Sequence, residues 1–170
     1  MKKYILGLAL CISSLSIAQN TLIGTENFTV QLPENYIRAI GLNNFAMVQW
    51  EHKDADFYGY SIVEHIDEYK LAELNVDLKS ISEYALNDFV DFKDYKVIET
   101  KTYKTDKGNP TISNRISYFD EENEIVIYYH INVYTSKNFI YKVYFYGSSK
   151  AFKNAETDID YITKKINIPS

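Results

Sequence analysis

The chain has 170 residues, 46% of them hydrophobic, and a formal net charge of −5. This length suits one domain with its own core. An acidic balance without a basic block argues against nucleic acid or an anionic membrane surface as partner. Sixteen tyrosines against six glycines point to a β-rich, aromatic-packed domain.

Residues 1–18 read as a secretory signal peptide. Lys2 and Lys3 supply the positive start, Tyr4 to Ile12 the apolar segment, and Ser16-Ile17-Ala18 the small residues before a cleavage point at Gln19. The segment is too short, and too soon followed by Gln19, Asn20 and Thr21, to serve as a membrane span. Residues 19–170 are then expected to form a single periplasmic or secreted domain. Cys11 is the sole cysteine, and lipid attachment there is not expected because Leu10, not a small residue, precedes it. A chain cleaved after Ala18 has no cysteine, hence no disulfide, and relies on its core.

Taken in order, Gln19 to Asn27 is a polar lead. Phe28-Thr29-Val30-Gln31-Leu32 alternates and stops at Pro33, which reads as a short strand. Tyr36 to Asn44 is ambiguous. Phe45 to His52 and Phe57 to Ile66 read as a strand pair, with Ala46, Val48 and Trp50 on one face of the first. Asp67 to Asp77 is a short helix or a crossover loop. Ser80-Ile81-Ser82-Glu83 has the capping-box pattern and predicts a helix start, with Ile81, Ala85, Phe89 and Phe92 along one face. Val97 to Lys104 and Thr111 to Phe119 are two further strands around the turn formers Gly108, Asn109 and Pro110. A closing helix runs from Ser148 or Ser149 to Ile166, with Phe152, Ala155, Ile159 and Ile162 at helical steps.

The stretch from Glu124 to Tyr146 reads as a central β-hairpin. β-branched and aromatic residues fill both arms, Ile125 to Tyr134 and Phe139 to Tyr146, around Thr135-Ser136-Lys137-Asn138. Neither arm alternates cleanly, so both faces are expected to be covered. Short links make the late strands antiparallel. The two amphipathic helices need apolar surface, which predicts an α+β fold. Its form is an α/β/α sandwich, a mostly antiparallel sheet of about six to seven strands with a helix on each face.

The opening Phe28 to Pro33, the strand pair around Trp50 and Tyr60, the helix from Ser80, the strands from Val97 to Tyr146 and the helix through Ile166 together resemble the Mog1/PsbP-like fold. That group includes bacterial DcrB-like envelope proteins. The resemblance covers nearly all of residues 19–170 and rests on element order. It implies an α/β/α sandwich and a binding or accessory role, not catalysis, and it carries over no residue set.

The motifs agree with a non-catalytic reading. No G-x-S-x-G, phosphate-binding glycine loop or dinucleotide fingerprint occurs, and no cofactor is expected. His52, His65 and His130 lack metal-ligand spacing, although His52 and His65 could face each other across the first strand pair. Asp54-Ala55-Asp56 opens like a calcium loop, but His65 stands where the bidentate glutamate belongs. Asp120 to Glu124 reads as a solvated acidic turn. Tyr128, Tyr134, Tyr144 and Tyr146 are expected to share a sheet face with Tyr58 and Tyr60. Left open, that face is a platform for a sugar, peptide or protein; covered by a helix, most of it is core. The expected function is that of an accessory or binding protein of the bacterial envelope with a protein partner. The alternative is a small-ligand or glycan-binding module. A deep polar cavity uniting His130 with acidic groups would overturn the idea of a purely two-sided interior.

Overall fold

The computed structural model describes residues 21–24 and 28–169. The expected signal peptide, its cleavage point and Cys11 lie outside the described residues. In chain order the strands are β1 (Thr21–Ile23), β2 (Thr29–Gln31), β3 (Tyr36–Arg38), β4 (Val48–His52) and β5 (Phe57–His65). Then come α1 (Ile66–Leu71), α2 (Leu78–Asn87), β6 (Lys96–Lys104), β7 (Pro110–Asp120), β8 (Ile125–Thr135) and β9 (Phe139–Ser148). The helices α3 (Ser149–Asn154) and α4 (Glu156–Lys165) close the chain.

Among the described residues, seven strands form one antiparallel sheet in the order β3-β4-β5-β9-β8-β7-β6, and β1 pairs with β2 in a separate two-stranded sheet. The fold is α+β, with helices on both faces as expected. β8 and β9 stand in the middle because their side chains are apolar on one face and aromatic on the other, which suits burial from both sides. On one face α1, α2 and the turn after α2 pack Ile66, Ile81, Ala85 and Phe89 against Tyr60, Ile116, Ile131 and Tyr144. On the other, α3, α4 and the small sheet pack Phe28, Phe152, Ile159 and Ile162 against Trp50, Phe57, Tyr141 and Phe145. A backbone bridge between Thr29 and Asn167 ties the small sheet to the end of the chain. Each large apolar side chain so buried contributes about 1.5–3 kcal/mol relative to exposure.

Trp50 and Gly59 are register partners in β4 and β5, and a Cβ at Gly59 would overlap the Trp50 indole. The missing side chain is what lets the indole lie against the sheet.

Several local expectations need correction. α2 begins at Leu78, ahead of Ser80, and its cap is Asp77. Asp77 Oδ1 accepts from Lys79 N and Ser80 N at 3.1 and 3.0 Å. Ser80 lies inside the helix and donates its hydroxyl to Asp77 Oδ2 at 2.6 Å. The aspartate outcompetes the serine as cap because its carboxylate accepts from two free N–H groups at once. The helix ends at Asn87, so Phe89 and Phe92 pack from the turn after it. The closing helix is two helices, broken at Ala155. Phe45 lies outside β4 and is 84% exposed. β1, in the segment that reads as a polar lead, forms because β2 offers it an edge to pair with.

His52 and His65 do not face each other. His65 pairs with Phe139 on β9, and His52 Nε2 lies 2.8 Å from Asn35 Nδ2.

Candidate functional site: a cleft over His130

β6, β7 and β8 pass beneath α4, and between them lies a cleft of about 400 Å³. Its floor is polar. His130 is buried, and its Nε2 lies 2.9 Å from Ser113 Oγ and 3.2 Å from Asn132 Oδ1. Tyr103 donates its hydroxyl to the same Asn132 oxygen at 2.7 Å, and Asn132 Nδ2 donates to Thr163 Oγ1 at 3.2 Å. With Asn132 so oriented, the Nε2–H tautomer of His130 satisfies the contact. Three strands and a helix are thus joined by one network, with each buried polar group placed on a face that the strand alternation selects.

The walls are charged. Lys101 pairs with Glu99 at 2.8 Å, which holds the Glu99 carboxyl below its usual value. Arg115 pairs with Glu156 at 3.0 Å and lies over the Phe152 ring. Burial pushes the His130 imidazole down to about 4, and Arg115 adds to the effect, so the ring is neutral near pH 7.

His130, Glu99 and Asp160 therefore do meet around one polar cleft. The interior is two-sided as expected, with a core on each face of the sheet, and this cleft adds a polar recess beneath α4. Ser113 beside His130 invites a comparison with a nucleophile and its base, but the geometry does not support it. His130 Nδ1 has no hydrogen-bond partner, so no carboxylate orients the ring, and a base titrating near 4 is mismatched to neutral pH. Among the described residues, no group of three or more His, Cys, Asp or Glu side chains is placed to hold a metal ion.

The four tyrosines singled out in the sequence do not converge. Tyr134 is fully buried and Tyr128 half-buried on the α3–α4 face, where Tyr128 packs on Phe152. Tyr144 is buried and Tyr146 half-buried on the opposite face, stacked on Tyr60 and on Tyr58 and Tyr129 respectively. The reason is register: Thr135 pairs with Ile140, so even-numbered residues of β8 share a face with odd-numbered residues of β9.

No protein-family model and no curated sequence matches the chain. Solved structures do. LpqN of Mycobacterium tuberculosis, described as involved in cell envelope biogenesis, superposes with a TM-score of 0.66 at 8% identity, over 86% of each chain. The cyanobacterial PsbP of Synechocystis gives 0.60 at 11% identity, over 88% of this chain and 91% of that one. A Bacteroides thetaiotaomicron protein gives 0.59 at 8% identity, over 89% of this chain and 48% of its own. The fold is Mog1/PsbP-like.

Within this Mog1/PsbP-like sandwich the cleft escapes sequence reasoning for a definable reason. Ser113, Arg115, His130 and Asn132 alternate along β7 and β8 as a polar face, which reads as a solvated edge or a sheet histidine. A signal is present nonetheless. The same sequence places a helix over that face, and polar residues under a helix need partners. No helix among the described residues is long and apolar enough to cross a membrane.

Proposed function

We propose that this chain is a non-catalytic accessory protein of the bacterial cell envelope, exported by cleavage after Ala18, that works by binding a small polar ligand in the His130 cleft. The observation that carries the binding reading is the cleft itself. Its floor is a hydrogen-bond network around a neutral histidine, which fixes the shape of a recognition surface without supplying a base. A volume of about 400 Å³ falls in the range of small-molecule sites. The envelope reading is supported by the leader-like start and by the likeness to LpqN. In an accessory role the outer surface engages a protein partner. Of the four tyrosines singled out in the sequence, the half-buried Tyr128 and Tyr146 are the candidates for that contact, whereas Tyr134 and Tyr144 are buried in the core.

The test is thermal unfolding of residues 19–170 against a panel of neutral and charged sugars and metabolites, followed by amide chemical-shift mapping. Binding is expected to raise the Tm by mass action and to shift Tyr103, Ser113 and Thr163. A flat response across the panel would remove the reading. Cell fractionation and the intact mass of the exported chain test its location and the Gln19 start.

A further inference from the structure

The charge of the cleft goes further than its shape. Four cationic groups, Lys101, Lys104, Arg115 and Lys164, stand around it against the carboxylates of Glu99 and Asp160. Lys101 is already paired with Glu99, and Arg115 with Glu156. Lys104 and Lys164 have no ion-pair partner among the described residues, and they approach from different elements, the end of β6 and the last turn of α4. The chain as a whole carries −5, so this positive rim runs against its overall charge. A concave, partly buried site focuses such a field.

Resting on the binding reading above, we propose that the ligand is a small acidic sugar, its carboxylate or phosphate held between Lys104 and Lys164 and its hydroxyls over the polar floor. The floor is suited to hydroxyls. Thr163 Oγ1 accepts from Asn132, Tyr103 donates to Asn132, and the Thr163 and Tyr103 hydroxyls also lie against each other, so the floor is a connected set of hydroxyl and amide groups of the kind that sugar hydroxyls match. Asp160, one helical turn before Lys164, also lines the cleft and is placed to accept from a sugar hydroxyl.

Calorimetric titrations with glucuronate, glucose 6-phosphate, glucose and glucosamine separate the outcomes. Glucuronate or glucose 6-phosphate is expected to bind at least about tenfold more tightly than glucose, with affinity falling as salt rises. Whichever of the two binds more tightly identifies carboxylate or phosphate as the recognised group. Lys104→Ala and Lys164→Ala are each expected to weaken the acid severalfold while leaving glucose unchanged; both positions are exposed, so the fold tolerates them. Equal binding of glucose and the acids, tighter binding of glucosamine, or lysine variants that bind the acids normally would overturn the acidic-sugar proposal while leaving a binding cleft in place. Failure of all four probes overturns this proposal, and only silence across the wider panel removes the binding reading as well.

Discussion

Ser113 Oγ and His130 Nε2 lie 2.9 Å apart on adjacent strands, beneath a helix, with the imidazole almost wholly buried. The pair holds β7 to β8 at the floor of the cleft and keeps a titratable ring where charging it is costly. Glu99 and Asp160 favour the charged ring, but burial and Arg115 oppose it more strongly.

A pH-dependent stability follows. The folded-state value of His130, about 4, lies below the ordinary 6.5. The unfolded chain therefore binds more protons in that interval, and stability rises with pH across it. The contribution is full above about pH 6.5 and is lost as pH falls toward 4, by about 3 kcal/mol at most. Urea unfolding at several pH values is expected to show that slope in the wild type and a flatter profile in His130→Gln. Parallel profiles would contradict it.

Gly59→Ala places a Cβ against the Trp50 indole and is expected to cost about 1–3 kcal/mol through overpacking. Trp50→Phe in the same chain should recover part of that loss, because the smaller ring vacates the overlap. Chemical denaturation of the two single variants and the double variant measures the coupling. Additive costs would show that the close approach is not what makes glycine necessary.

On the α1–α2 face, Lys142 Nζ lies 2.8 Å from Glu64 Oε2, which also accepts from the Tyr69 hydroxyl at 2.6 Å. Burial alone would lower the Lys142 ammonium, but Glu64 and Tyr69 outweigh it and leave it raised. Glu64→Gln leaves a buried ammonium without its counter-charge and is expected to destabilise by about 2–4 kcal/mol. Adding Lys142→Met should recover much of this. A double variant as unstable as the sum of the single variants would refute the coupling.

At the start of α2, Asp77→Ala is expected to lower the Tm more than Glu83→Ala does. Asp77 accepts from two backbone N–H groups, whereas Glu83 makes an exposed contact with Lys79 at 3.8 Å. Thermal melts followed by circular dichroism compare them, and the reverse order would restore the Ser80–Glu83 box as the effective cap.

Much of the architecture was legible in residue order. The apolar arms of β8 and β9, the short link at Ser136 to Asn138, and the helical steps of Phe152, Ala155, Ile159 and Ile162 pointed to a central antiparallel hairpin and helices on both faces. Side-chain periodicity and short connections are local, so the chain itself carries them. The break at Ala155 and the choice of Asp77 over Ser80 were less legible, because competing caps differ by less than tertiary contacts supply.

The sequence by itself determined the layers, since amphipathic segments of these lengths have few ways to bury their apolar sides. Only the tertiary structure decided which tyrosines meet and that a cleft exists. Both depend on the register adopted between neighbouring strands: pairing Thr135 with Ile140 sends Tyr134 and Tyr144 to opposite faces, and pairing Arg115 with His130 sets Ser113 beside Asn132 under Thr163. A one-residue slip would reverse every such placement, and the turn geometry that sets the register is seen only in the folded hairpins.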